Sequence, residues 1–597
     1  MSHLGDFTAT NRMLLIAALA LPVGAISAGV AWALLKLIGL ITNAVFYSRV
    51  DTALVAPGVG HHSPWVVLAA PVVGGLVIGV MARFGSEKIR GHGMPEAIEA
   101  ILLGGSKVAP RVAVLKPVSA AVAIGTGGPF GAEGPIIMTG GAVGSLFAQL
   151  LRLTADERKT LLVAGAAAGM AATFNSPFAA LMLAVELLLF EWRPRSYVPV
   201  AGAVVVATAV RHPLLGTGAL FPSSGSLHID NGTYLLCLVS GIAAGLLALV
   251  ATALVYAAED AFHRLPIHWM WWPAIGGVVI GIGGLIVPQA LGVGYNVIGS
   301  ELDGTIGLGL VCGILVVKTL IWSLSLGSGT SGGVLAPMFM VGGALGTVEA
   351  HVFPTVGPGF WALVGLAGVL GGVMRSPFTG VVFALELTHR WDALLPLIIG
   401  ASTAYAVSVL VLRRSVLTEK IARRGYHLSR EYDVDPLEIL FAGEVMDTDV
   451  LTFDDHVPVT QALERVSGIS PATVTARRQM LYPVVDRTGA MCGVVTRTQL
   501  ETATHHGRGE RPVADLAHPN PVVAHPDDTL RAVVSAMAAH AVDRMPVTAR
   551  DDHDHVLGMV SITMLLAARV RDLREARESE RVLRVRIVRP RLPGRGN

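Results

Sequence analysis

GTGGPFGAEGPIIMTGGAVG, residues 125–144, and GSGTSGGVLAPMFMVGGALG, residues 327–346, are one text written twice. Gly125, Gly127, Gly131, Pro135, Met138, Gly140, Gly141, Ala142 and Gly144 recur in register from Gly327 onward, without a gap. A second pair follows at nearly the same spacing: FNSPFAALMLAVEL from Phe174 and MRSPFTGVVFALEL from Met374. Low complexity explains one such pair; two in the same order mark an internal duplication. Each first-pair segment carries a glycine-rich turn with a proline poised to open an apolar helix. Glycine lets the backbone come close, and proline in a first helical turn leaves no N–H partner unmet.

The surroundings are membrane-like. Of 597 residues 52% are hydrophobic and 15% charged, against about 25% charged in a soluble domain; mean hydropathy is +0.60. The net charge of +2 is too small to argue for nucleic acid. Cys237, Cys312 and Cys492 stand far apart without a CxxC and give neither a disulfide framework nor a zinc site. A polar N-terminus, 1–12, precedes an apolar run, Met13–Leu35, too long for a signal-peptide core. Further runs long enough to span lie at Pro64–Met81, Tyr234–Ala257, Trp272–Val287, Ile306–Leu324 and Ala393–Leu412. Between them lie shorter pieces broken by Gly and Pro: Ile136–Leu151, Leu161–Ala172, Phe178–Phe190, Val334–Ala350 and Phe378–Leu385. Open backbone at membrane depth needs protein or a water-lined cavity to satisfy it, so these read as half-helices meeting at mid-membrane.

The predicted membrane domain is 13–425, with repeats of about 13–215 and 232–425. Arg413, Arg414, Lys420, Arg423 and Arg424 cluster beyond the last span and place that end in the cytoplasm. A linker, 426–443, leads to soluble-looking sequence that is itself duplicated, 444–505 and 511–572, each half reading strand, helix, strand, strand, helix. The Arg- and Glu-rich stretch 573–597 reads as a solvated tail.

An anion can be held in a membrane by the free N–H groups and partial positive charge of a helix N-terminus. Three loops have that design: GHGMPE (Gly91–Glu96), GAEGPI (Gly131–Ile136) and GGVLAP (Gly332–Pro337). They carry the resemblance to the CLC family of chloride channels and proton-coupled chloride transporters. That family's filter motifs read GSGIP, GREGP and GxFxP, and they match Gly91–Pro95, Gly131–Pro135 and Gly333–Pro337. The C-terminal pair resembles tandem CBS domains. The resemblance implies an all-α polytopic membrane protein, an inverted repeat of tilted, partly discontinuous helices, followed by a cytosolic α/β CBS module. It implies a homodimer in the cell membrane with one anion pathway per subunit, and a transporter or channel rather than an enzyme.

It assigns the gate to Glu133, an ionisable side chain in an apolar segment, where such groups are functional by default. The anion-binding set is Gly91, His92, Gly93, Met94 and Pro95; Gly131, Ala132, Gly134 and Pro135; Val334, Leu335 and Ala336; and Leu417 at the inner mouth. His92 replaces the family's serine; it donates N–H to the anion, titrates near neutral pH, or makes no contact with the anion. Ala132 replaces an arginine and so removes a nearby cation; Leu335 replaces a phenylalanine and Leu417 a tyrosine, two losses that point to a leakier, more channel-like path. The exchangers' internal proton-relay glutamate falls on Leu187, one residue after Glu186. Glu186, with its twin Glu386, is either a helix-end carboxylate or a relay, so both a passive channel and a proton-coupled antiporter are expected readings. The carboxylate usual for ribose in CBS pairs is Gln499 after Thr496 and Met564 after Ser561. That favours a dimerising, nucleotide-free module over an adenine-nucleotide sensor. No metal or organic cofactor is expected for transport. Two rivals stand apart: a rhomboid-like intramembrane protease built on Ser331 with His351 or His389, and a CBS-bearing cation transporter, for which the singly placed carboxylates are ill suited.

Overall fold

The computed structural model describes residues 11–102, 105–223, 225–423, 437, 440–467, 479–551 and 555–575. Residues 1–10 of the polar N-terminus, most of the linker 426–443 and residues 576–597 of the charged tail lie outside these. The chain divides into two compact units, one within Gly5–Arg430 and one within Glu431–Asn597.

In the larger unit each repeat runs through eight corresponding helices. The first repeat is α1 (Arg12–Tyr47), α2 (Pro64–Phe84), α3 (Met94–Leu102), α4 (Pro110–Gly125), α5 (Glu133–Gln149), α6 (Ala155–Phe174), α7 (Pro177–Leu183, continuing as a π-helical turn, Ala184–Leu189) and α8 (Pro194–Leu215). The second is α9 (Asn231–His263), α10 (Trp272–Ile286), α11 (Tyr295–Leu302), α12 (Leu308–Gly327), α13 (Leu335–Glu349), α14 (Phe360–Met374), α15 (Pro377–Thr388) and α16 (Leu394–Val411), followed by α17 (Val416–Arg423). Among the described residues seven helices are long and apolar enough to cross a membrane. One of them, α8, has no counterpart among the expected spans. Pro199, Pro213, Arg195 and Arg211 hide it in the sequence. Arg211 is buried, and its Nε donates to Ala172 O at 2.8 Å. Helix α14 also escaped the reading, and α1 is longer than Met13–Leu35.

The two repeats face each other about a local two-fold. Gly131 and Gly333, equivalent in the duplication, form an antiparallel bridge, with Gly333 N–H donating to Gly131 O at 2.9 Å. Small residues let helices cross closely inside each repeat. Gly140 of α5 lies against the backbone of Gly165 in α6, and Gly342 of α13 against that of Gly365 in α14.

The smaller unit holds two sheets. In one, β1 (Phe453–Asp454) pairs in parallel with β2 (Leu481–Val485), which pairs antiparallel with β3 (Met491–Thr496). In the other, β4 (Arg544–Thr548) and β5 (Val556–Ser561) are antiparallel. The expected leading strand of the second half is reduced to one parallel bridge, Ala524 to Val547. The segment leading into each half packs on the other half's core. Ala442 is buried with Leu530, Val547 and Val560, while Val513 is buried with Phe453, Tyr482 and Val495. Backbone bonds fix the exchange, Asp447 with Met559 and Val494 with His518. Spatial cores therefore do not follow the sequence halves 444–505 and 511–572.

Candidate functional site

All three glycine-rich loops end where expected, each at the first turn of a helix: Gly91–Pro95 at α3, Gly131–Pro135 at α5, Gly333–Pro337 at α13. The loops converge on Gly134. A side chain there would meet the carbonyl of His92 on one side and Gly333 Cα on the other. Gly91 and Gly93 have φ of 81° and 86°, which side chains rarely adopt.

Glu133 is 0% exposed. Its Oε1 accepts the backbone N–H of Ala336, a first-turn donor of α13 in the other repeat. Its Oε2 is buried without a donor among the described residues. The carboxylate thus sits at the N-terminal end of a helix, whose free N–H groups suit a negative charge.

His92 is 4% exposed and its Nδ1 is buried without a partner among the described residues. Glu96, on the first turn of α3, accepts Gly93 N–H at 3.0 Å through Oε2 and the Lys420 ammonium at 2.6 Å through Oε1. Lys420 belongs to α17, which also carries the buried Leu417. Tyr256 of α9 holds that helix, its hydroxyl donating to Val416 O at 2.5 Å. Loop Gly91–His92 borders a cavity of about 970 Å³, also lined by Arg90, Lys107, Lys420 and Arg423.

Two lysines that the sequence reading passed over underlie this arrangement. Lys116 donates to Ile89 O at 2.8 Å and Gly91 O at 2.7 Å. Its repeat equivalent, Lys318, donates to Ala290 O at 2.9 Å and Gly292 O at 2.7 Å. Both are fully buried. Their signal was present: a lone lysine in an apolar helix, recurring in register in both repeats.

Glu186 and Glu386 form a reciprocal pair of caps. Glu186 accepts Phe378 N–H at 3.3 Å, Thr379 N–H at 2.8 Å and the Thr379 hydroxyl at 2.6 Å, at the start of α15. Glu386 accepts Phe178 N–H at 3.0 Å and Ala179 N–H at 2.8 Å, at the start of α7. This geometry is that of a helix-end carboxylate, with both oxygens engaged. Leu187 is fully buried. Ser331 Oγ accepts from the Ser119 hydroxyl at 3.1 Å, and His351 Nδ1 lies 2.9 Å from Thr347 O, so neither joins the other in a catalytic pair. Among the described residues no three His, Cys, Asp or Glu side chains cluster as metal ligands.

In the smaller unit Thr496 and Gln499 make a capping box. Thr496 N–H and hydroxyl donate to Gln499 Oε1 at 2.7 and 2.9 Å, which occupies the amide oxygen locally.

Comparison with known proteins agrees with this architecture. The sequence pattern of the voltage gated chloride channel family matches residues 74–409, and that of the CBS domain matches 442–505 and 513–571. The chain is 30% identical to an H(+)/Cl(-) exchange transporter, ClcA, of Yersinia pestis over 363 residues, 58% of this chain and 74% of that protein. It is 29% identical over 392 residues to a voltage-gated ClC-type chloride channel, ClcB, of Citrobacter koseri, covering 63% and 92% of the two chains. A slow cyanobacterial Cl⁻/H⁺ antiporter superposes with a TM-score of 0.60 at 21% identity, covering 70% of this chain and 99% of that one. A eukaryotic CLC transporter superposes with 0.57 at 18% identity, covering 92% and 98%. These two establish the fold.

Proposed function

The chain belongs to the voltage-gated chloride channel family, a family of transporters and channels and not of enzymes, and we propose that it moves chloride or a similar small anion through a pathway gated by Glu133. The single observation that carries this reading is the seat of the Glu133 carboxylate on the N–H of Ala336. An ionised carboxylate there takes the anion's own place. Protonation, or displacement by an anion, vacates it. The anion then meets backbone donors of the three loops, with His92, Gly93, Met94 and Pro95 on the inner side, Gly131, Ala132, Gly134 and Pro135 beside the gate, and Val334, Leu335 and Ala336 opposite. Lys116 and Lys318 tie loop carbonyls back to a cation and keep those oxygens away from the anion. Leu417 lines the inner mouth without a hydroxyl.

Proton-coupled exchange is the second reading, favoured by the exchanger named among the relatives. A relay at Glu186 would have to break its bonds to α15, so the engaged caps favour uncoupled movement. The working unit is a homodimer with a pathway in each subunit. It lies in the cell membrane with its basic α17 end and its CBS pair in the cytoplasm. The CBS pair regulates, and the engaged Gln499 favours a module without bound adenine nucleotide.

The test is chloride efflux from liposomes containing wild type or Glu133→Gln. Wild-type efflux rises as pH falls, and the Gln variant conducts with little pH dependence. Equal pH profiles for the two proteins would remove Glu133 from the gate.

A further inference from the structure

One buried carboxyl has no role in the account above. Glu301, on α11, is 1% exposed, and both its oxygens lie without a hydrogen-bond partner among the described residues. Its carboxyl packs against Gly343 of α13. Gly294, at the start of α11, lies beside both Met340 Sδ of α13 and Lys318 Nζ. Residues 336, 340 and 343 share one face of α13, since positions three and four apart are neighbours on a helix. That face therefore carries three ionisable groups in a row: Glu133 on Ala336 N–H, Lys318 by Met340, Glu301 by Gly343. At 1.5 Å per residue the row is about 10 Å long. Lys318 lies within electrostatic reach of both carboxyls. It is the charged group that acts on Glu301; α14 carries none, and Glu349 at the end of α13 is turned to the Ser240 hydroxyl at 2.6 Å.

The row also has a direction. The carboxy-terminal end of α5 bonds to the 105–109 loop, Ser145 Oγ accepting from Val108 N–H at 3.0 Å. That loop shares the cavity of Lys420 and Arg423. The chain enters α5 and α13 through the antiparallel Gly131–Gly333 bridge, so the two helices leave the loops in opposite senses.

We propose that Glu301 is a second proton-binding carboxyl of the pathway, on the outer side of Glu133 and competing with it for the charge of Lys318. This rests on the gate reading of Glu133. Ionised, Glu301 shares the Lys318 ammonium with Glu133. Neutral, it leaves that charge to the gate carboxylate and the passing anion. A cation left undivided holds Glu133 in its ionised, closed form.

The test uses full-length protein in liposomes, with chloride efflux recorded against external pH for wild type, Glu301→Gln, Glu301→Asp and Glu133→Gln. Glu301→Gln displaces the profile toward acid by about one pH unit; Glu301→Asp, which still titrates, displaces it less. In infrared difference spectra of the same proteins, a carboxylic-acid C=O band titrates in wild type and Glu133→Gln and is absent from Glu301→Gln. A superimposed efflux profile, or an infrared titration unchanged by Glu301→Gln, overturns the proposal. A Glu133→Gln profile as steep as wild type, with the Glu301 band intact, condemns the gate reading instead.

Discussion

Replacing Glu186 with alanine strips three acceptor contacts from the first turn of α15. Two of the lost donors are backbone N–H groups with no intrahelical partner. A lost cap costs about 1 kcal/mol, and a hydrogen bond to a charged group contributes about 1.5–3 kcal/mol. With Phe378 exposed at the surface and Thr379 buried, the whole set contributes about 3 kcal/mol. For a unit of roughly four hundred residues that is on the order of 3 °C in the melting midpoint. Glu186→Gln keeps one acceptor oxygen and loses about half as much. The local two-fold makes a second demand: Glu386→Ala, which uncaps α7, should cost a comparable amount. The assay is thermal unfolding of detergent-purified protein beside simultaneous chloride and proton flux in liposomes. The two glutamine variants should behave alike, with small losses of stability and no selective loss of proton movement. Proton flux abolished by Glu186→Gln, with stability and chloride flux intact and Glu386→Gln silent, would refute the cap assignment and restore the relay.

Three further outcomes follow from the geometry. Lys116→Met releases the carbonyls of Ile89 and Gly91 from a fully buried ammonium, and chloride flux should fall at least about tenfold, the cost of leaving buried polar groups unpaired; flux within twofold of wild type would deny that the lysine organises the loop. In the CBS unit, Thr496→Ala breaks the capping box and should cost about 1 kcal/mol. Millimolar ATP or AMP should leave the melting midpoint of the wild-type protein where it is, and a rise of several degrees would contradict a nucleotide-free cleft.

Much of this was legible in the sequence because duplication and glycine-proline loops are local signals. The match of Gly131 with Gly333 pointed to the very pair that the fold bridges, and Glu133 stood out as a lone charge in apolar text. What escaped reading depends on distant partners. Helix α8 carries two interior prolines and two arginines, and the acceptors Ala172 O, reached across the fold by Arg211, and Gly216 O make the buried guanidinium tolerable. The twin placement of Glu186 and Glu386 hinted at symmetry, yet their targets lie on the opposite repeat, which no spacing rule reveals. Lys116 and Lys318 recur in register but gain meaning only once the carbonyls they hold are seen. The crossed packing of the CBS halves was invisible for the same reason, since Ala442 and Val513 are ordinary small hydrophobes until their cores are known.

The central claim is that Glu133 occupies an anion's place at the start of α13. Crystals of Glu133→Ala grown in bromide test it most directly, through the anomalous signal of the ion. The account predicts bromide within hydrogen-bonding distance of Ala336 N, in the space the carboxylate leaves. A structure with bromide bound elsewhere along the loops and that N–H facing only water would contradict it.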